Sequence, residues 1–501
     1  MQEQGGRGAG EQGCTWCLCV LSPLHPRTPA PLLDNPHFGY NAPMAHAIMT
    51  FPPDFLWGTA TSAYQVEGNN SNSDWFAWEA ADPARIKGDL GCGPASDWWQ
   101  NAEADLDIAA ALGTNAHRLS LEWSRIEPEP SVFDSAAIAR YRAILQACHD
   151  RGLEPMVTLH HFSNPLWLVE KGDFHSEIVV EYFRRYTAKV VAELGDLIPK
   201  WITINEPVTY GVLRYLTHDF PNPGRGGFGA LFAAIHNMLR CHAAAYHTIK
   251  EAYPAALVGT ANNMQVFAAR PDGNAIDRRW ARMIDRLYND SWPDALHTGR
   301  YRGLWSSKRF KGLAGTYDFV GINYYTRFYL RFPPPPGFVD REWGPEALVS
   351  DGAYGEVYAH GLYEIMERVW RRYQKPIYIT ENGLPDAADR LRPGFLLDHL
   401  RQIWHAISFC YPIMGYYHWS LVDNFEWDRG WTQRFGLVAV DPTTQARAWR
   451  PSAHLYQEIC RSYSISDDMA ARYAPEMLAV MWPGEEQRAE AQGSGGAGEQ
   501  G

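Results

Sequence analysis

The sequence predicts an α/β fold closed into a (β/α)₈ barrel, and three observations carry that expectation. Eight short apolar segments recur along the chain, starting at residues 56, 115, 155, 201, 257, 319, 377 and 414. Amphipathic stretches lie between them, and several of these close on glycine. Polar and charged residues gather where the apolar segments finish. Eight parallel strands alternating with helices favour a closed (β/α)₈, or TIM, barrel over an open sheet of that width, and such a barrel works at the C-terminal ends of its strands.

The first strand is expected at Leu56 to Ala60. Trp99, Ala102, Leu106 and Ala109 then fall at helical spacing before Gly113, and Asn115 to Ser120 reads as the second strand. Ile138, Tyr141, Leu145 and Cys148 repeat the pattern before Gly152, followed by a strand from Pro155 to Leu159. Val179, Phe183, Tyr186 and Val190 do so before Gly195, followed by Trp201 to Asn205. The last four strands are placed at Leu257 to Ala261, Phe319 to Asn323, Ile377 to Thr380 and Met414 to Trp419.

The 501 residues, 46% of them hydrophobic, suffice for one large core or two ordinary ones, and a barrel uses them as one catalytic domain. Residues 1–48 are rich in Gly, Pro, Gln and Ala without periodicity, which predicts a disordered leader, with translation starting at Met44 or Met49. The folded block is expected over 49–465, with a C-terminal extension over 466–501 that becomes a solvated tail from about residue 484. A net charge of -12 repels polyanions, which excludes nucleic acid and anionic membranes as partners. No stretch approaches the length of a transmembrane helix. The apolar run Cys17 to Leu24 is short and is preceded by Glu3, Arg7 and Glu11, so it does not read as a signal peptide, and a cytoplasmic protein is expected. Cys92, Cys148, Cys241, Cys410 and Cys460 stand far apart and read as buried free thiols in a reducing compartment. The cluster Cys14, Cys17 and Cys19 lacks the second ligand pair that a zinc site needs.

At the strand ends stand Gln65, Arg118, His161, Asn205 with Glu206, Asn323 with Tyr325, Glu381 and Trp419. Two of these are carboxylates directly after apolar strands, in WITINEP (Trp201 to Pro207) and IYITENG (Ile377 to Gly383). Glycoside hydrolysis needs such a pair: a proton donor for the leaving oxygen and an anion for the oxocarbenium-like centre. Helix capping is the alternative for Glu206, since Pro207 suits the first turn of a helix, but capping does not account for Glu381. The 20 Trp and 26 Tyr suit both a large core and the flat apolar faces of sugars, with core packing the default for most. His160 and His161 are adjacent on a strand and face opposite sides, which disfavours a shared metal; no metal or cofactor is expected. His117 and His418 read as packed histidines, and Glu67, Glu122 and Asp423 are left without a role.

Five motifs make the sequence resemble family 1 glycoside hydrolases, the β-glucosidase family built on a (β/α)₈ barrel, across roughly residues 50 to 462. They are FPPDFLWGTATSAYQVEG (Phe51 to Gly68), HRLSLEWSRIEP (His117 to Pro128), TINEP around Glu206, ITENG around Glu381 and HWSLVDNFEW (His418 to Trp427). The resemblance implies Glu206 as acid/base and Glu381 as nucleophile of a retaining mechanism with a covalent intermediate. It implies Asn205 on the sugar 2-hydroxyl, Arg118 and Tyr325 flanking Glu381, and Asn323 in support. Gln65, His161, Glu426 and Trp427 would grip the remaining hydroxyls of the terminal sugar, and Trp419 would be its stacking platform. Small-molecule β-glycosides or oligosaccharides are the expected substrates.

Within the family, Glu426 argues against 6-phosphorylated sugars, and Glu206 distinguishes the chain from myrosinases, which carry Gln there. Gln65 with Glu426 suits gluco and galacto epimers alike; β-glucosides are favoured, with β-galactosides and β-fucosides as side activities. TLHHFSNP (Thr158 to Pro165) departs from the family's YHWDLP, placing Phe162 where Trp is usual. The loops Asp219 to Phe228 and Tyr329 to Gly355 would set the aglycone. Two competing readings remain: a sugar-binding scaffold without turnover, distinguished by whether Glu206 and Glu381 converge on one cleft at retaining distance, and a transglycosylase sharing the same intermediate.

Overall fold

The computed structural model describes residues 47–483 except 89, 223, 225, 305–306, 335–342 and 344–346. Eight parallel strands form a closed barrel in sequence order: β1 (Leu56–Ala60), β2 (Ala116–Ser120), β3 (Glu154–His160), β4 (Lys200–Asn205), β5 (Leu257–Asn263), β6 (Val320–Tyr324), β7 (Ile377–Asn382) and β8 (Ile413–Trp419). The ring closes where Gly415 to Trp419 pair in register with Leu56 to Ala60. All eight expected strands are present, their ends within two residues of the expectation.

Helices alternate with the strands: α1 (Trp98–Ala111), α2 (Ser135–Asp150), α3 (Val179–Leu194), α4 (Phe228–Ala252), α5 (Ser291–Thr298), α6 (Ala359–Tyr373), α7 (Arg392–Ser408) and α8 (Pro451–Ser462). The expected apolar stripes are the buried faces: Ala102, Leu106 and Ala109 on α1, and Val179, Phe183, Tyr186 and Val190 on α3. Gly113 and Gly152 take positive φ after α1 and α2, where a side chain would be strained.

Two apolar layers result from the pleat. The outer one, between strands and helices, contains Leu119, Val157, Leu159, Trp201 and Ile204. The inner one fills the barrel with Ala60, Ala116, Met156, Ile202, Ala261, Tyr378 and Tyr417. Interior space is limited: a Cβ on Gly58 would lie 2.5 Å from the Tyr417 ring. Arg118 alternates with Ala116 on β2 and so also points inward, buried at 1% exposure.

The strand ladders are irregular toward the C-terminal ends of β4, β6 and β7, with register shifts between Ile202 and Asn205, Ile322 and Asn323, and Ile379 and Asn382. Such bulges re-aim the side chains that follow them. The residues that follow include Asn205, Asn323 and Glu381.

Ile48–Thr50 pairs antiparallel with Ser464–Ser466, and helices Asp467–Tyr473 and Leu478–Met481 follow, burying Met469, Ala470 and Met481. Residues 466–483 of the expected extension thus pack on the barrel; 1–46 and 484–501 lie outside the described residues. Cys92, Cys148, Cys241 and Cys460 are buried free thiols as expected. Cys410 is not: it is exposed after α7 and disulfide-bonded, which removes one of the thiols that pointed to a reducing compartment. The cluster Cys14, Cys17 and Cys19 falls outside the described residues. No helix among the described residues is long and apolar enough to cross a membrane.

Candidate active site

Glu206 follows β4 in the left-handed region, at φ 42° and ψ 57°. Non-glycine residues adopt that conformation at an energetic penalty, and it is characteristic of functional sites. Pro207 starts a short helix, Pro207–Val212, in which Glu206 occupies the N-cap position without using its side chain as a cap. The carboxylate is turned instead into the barrel mouth, where Asn323 Nδ2 donates to Oε1 at 2.7 Å and Asn263 Nδ2 to Oε2 at 2.9 Å. The capping alternative is thereby removed.

Glu381 reaches the same region from β7. Arg118 Nη1 donates to Oε1 at 2.5 Å and Tyr325 OH to Oε2 at 2.5 Å. Arg118 Nη2 also donates to Asn205 Oδ1 at 2.6 Å, and Asn323 Nδ2 lies 3.2 Å from that oxygen. Thr380 Oγ1 donates to Asn323 Oδ1 at 2.6 Å, which fixes the amide so that its nitrogen faces Glu206. One continuous chain of hydrogen bonds thus runs from Glu381 through Arg118, Asn205 and Asn323 to Glu206.

The two carboxylates have opposite surroundings. Glu381 has a buried cation and a phenol as donors, whereas Glu206 has the uncharged donors Asn323, Asn263 and Thr209. Burial, and after it the negative charge of Glu381, pushes Glu206 up from an ordinary value of 4.5 to about 7. A proton donor beside an ion-paired carboxylate is the division of labour that acid-assisted displacement requires.

Around this pair stand the remaining expected residues. Asn205 Nδ2 and His161 Nε2 are 3.0 Å apart. The His161 ring lies nearly parallel to Trp419, with centroids 6.1 Å apart, and to Trp427 at 6.2 Å. Burial holds His161 well below its ordinary value, so its ring is neutral at pH 7. Gln65 Nε2 donates to Glu426 Oε2 at 2.9 Å, and Ser62 fixes the other end of that amide at 2.6 Å. Trp427 stacks on Tyr64, its centroid 5.9 Å away and the planes 10° apart. Burial raises Glu426 to about 8 despite the Gln65 bond, so it is largely uncharged at neutral pH.

The histidines and acids left aside by the sequence are structural. His117 Nδ1 lies 3.0 Å from Thr59 Oγ1, and His160 Nε2 lies 3.2 Å from Asn164 Oδ1, on the side away from His161. Asp423 accepts both Nη atoms of Arg450 at 2.9 Å. In the divergent TLHHFSNP segment, Phe162 packs against Phe220 and Trp427, with centroids 5.1 and 5.4 Å away. It offers no hydrogen-bond donor where the family's Trp has one. Ser163 donates to Glu122 at 2.7 Å, and Asn164 joins a buried network with Asp74 and Tyr210.

Sequence reasoning missed Asn263. It ends β5, LVGTANN, so the polar-residue-at-strand-end signal that marked Asn205 and Asn323 was available there too. Tyr354, whose ring lies 6.0 Å from that of Tyr325, sits in an irregular loop and left no periodic signal. No cluster of three or more potential metal ligands occurs among the described residues.

A closed barrel with two buried glutamates, one ion-paired and one not, among amides and aromatic rings at its strand ends defines a glycoside-cleaving enzyme. The profile of glycosyl hydrolase family 1 matches residues 47–464, and the chain belongs to that family. It is 31% identical over 487 residues to a β-galactosidase of Sulfolobus acidocaldarius, covering 84% of this chain and 97% of the relative. It is 30% identical over 456 residues to β-glucosidase A of Thermotoga maritima, covering 84% and 100%. A solved β-glycosidase from Pyrococcus horikoshii superposes with a TM-score of 0.78 at 36% identity, covering 85% of this chain and 98% of that one.

Proposed function

We propose that the chain is a retaining β-glycosidase that removes terminal, non-reducing β-D-glucosyl residues, with Glu381 as nucleophile and Glu206 as acid/base. The observation that carries this reading is the asymmetry of the pair, Glu381 held between Arg118 and Tyr325 and Glu206 raised to about 7. Glu381 attacks the anomeric carbon and displaces the aglycone, whose oxygen takes the Glu206 proton. Esterification removes the charge on Glu381, which lowers Glu206; Glu206 then accepts a proton from water as that water attacks the glycosyl ester, and the β-configuration is retained. Asn205, steered by Arg118, is aimed to hold the sugar 2-hydroxyl. Trp419 serves as platform, and Gln65, His161, Glu426 and Trp427 grip the other hydroxyls. The neutral Gln65–Glu426 pair presents both donors and acceptors, which fits β-galactosides and β-fucosides as side activities, and the relatives are named for both gluco and galacto substrates.

The test is hydrolysis of nitrophenyl β-D-glucoside by the purified protein beside Glu381→Gln, with the β-galactoside and the 6-phospho-β-glucoside as comparators. Turnover of the plain glucoside that vanishes in the variant is the expected result. Cleavage of the phosphorylated sugar alone overturns the substrate assignment, and a folded protein silent on all three overturns the reading.

A further inference from the structure

Behind the β1 end of the active site the surface carries a groove of about 430 Å³, lined by loop residues 69–72, the start of α1, Ser124–Arg125, Pro128 and the first turns of α2. It is back to back with the catalytic cleft. The short helix Ala63–Glu67 separates the two, and residues two apart on a helix face opposite ways. Gln65 points to Glu426, whereas Glu67 points to Arg125 and Tyr141, accepting at 2.8 and 2.7 Å.

The lining chemistry identifies the class of ligand. The guanidinium of Arg125 lies 4.3 Å over the Trp99 ring and is paired with Glu67, and Arg140 is paired with Glu103 through both Nη atoms. Both cations are thereby ion-paired, and Asp134, whose carboxylate caps α2 through Ala136 N and Ala137 N, adds an acceptor to the lining, so the groove does not suit an anion. What it offers is amides: Asn69 and Gln100 are exposed with no side-chain hydrogen bond among the described residues. Asn70 is only 6% exposed, and its amide nitrogen has no partner. A buried, unsatisfied amide at the wall of a polar groove is costly unless a ligand or water completes it. Amides that both donate and accept, set beside an indole, match the hydroxyls and flat faces of a neutral polyol.

We propose that this groove is a second carbohydrate-binding site, taking a short neutral glucan segment outside the catalytic cleft. The choice of a β-glucan rests on the functional reading above; the groove's preference for a neutral polyol does not. Such a site would hold an oligosaccharide against the enzyme without exposing it to Glu206 and Glu381.

The test is calorimetric titration of full-length Glu381→Gln protein with cellotetraose. Two binding events are expected. Adding Ala136→Trp, which fills the groove from an exposed position on α2, or Gln100→Ala, is expected to weaken one event at least tenfold and leave the other intact. Each change made alone in the active enzyme is expected to leave hydrolysis of nitrophenyl β-D-glucoside unchanged. A single event, or two events that both groove variants leave unaltered, overturns the proposal. Failure of the catalytic reading shows separately, as absence of nitrophenyl glucoside turnover in the unmodified protein.

Discussion

Replacing Glu206 by Gln is expected to cut turnover and, relative to the wild type, to favour the folded state increasingly as pH rises. The native carboxyl titrates at about 7 and the ordinary one at 4.5, with burial the main cause. Between those values the folded chain holds a proton that the unfolded chain releases, so wild-type stability falls as pH rises through this window and levels off above 7. Integrated from pH 5 to pH 8.5, the difference is about 2.5 kcal/mol. Gln escapes this loss but offers one acceptor where Asn323 and Asn263 both donate, which costs about 1–3 kcal/mol at every pH. Only the pH-dependent part isolates the buried acid. For a folded body of residues 47–483, an unfolding entropy of about 2.1 cal/mol/K per residue converts it into roughly 3 °C of Tm. Thermal melts of both proteins at pH 5 and 8.5, followed by tryptophan fluorescence, read it out. The Tm of Glu206→Gln minus that of the wild type should rise by that amount, while hydrolysis of glycosides with poor leaving groups falls about 10²- to 10⁴-fold. A Tm difference that is the same at both pH values would refute the picture of a desolvated acid beside Glu381.

Further outcomes follow from the same geometry. In wild type, kcat/KM should decline as pH rises through about 7, because Glu206 must carry a proton. Asn263→Ala removes a donor that favours ionised Glu206 and should move that alkaline limb upward; a limb that stays in place counts against Asn263 as a positioning residue. Tyr325→Phe deletes the 2.5 Å bond to Glu381, a charged hydrogen bond of about 1.5–3 kcal/mol, so kcat should drop roughly 10- to 150-fold; unchanged kcat on nitrophenyl β-D-glucoside contradicts the assignment. Gly383→Ala would put a Cβ 1.8 Å from the Trp419 carbonyl oxygen, so loss of soluble, active protein is expected, and a variant with wild-type Tm and activity would disprove that packing.

The fold was legible because its signal is local. Strand and helix periods, and the glycines after α1 and α2, follow from backbone sterics and from which face is buried, and each stretch of sequence carries them by itself. The pair Glu206 and Glu381 was legible for a related reason: both residues stand at the ends of apolar strands, and a barrel gathers all such ends on one face. Other features depend on residues far apart in sequence. Hydrogen bonding from β6 and β5 turns Glu206 away from capping its helix, as Asn323 and Asn263 take up its two oxygens. The raised pKa of Glu426 and the pairing of Ile48–Thr50 with Ser464–Ser466 are likewise set by neighbours that no local pattern names. The sequence by itself determined which groups reach the mouth of the barrel, since strand period and strand order place them there. Only the tertiary structure decided the surroundings that raise Glu206 and the partners that hold Glu381, because desolvation and hydrogen bonding depend on what surrounds a side chain in space.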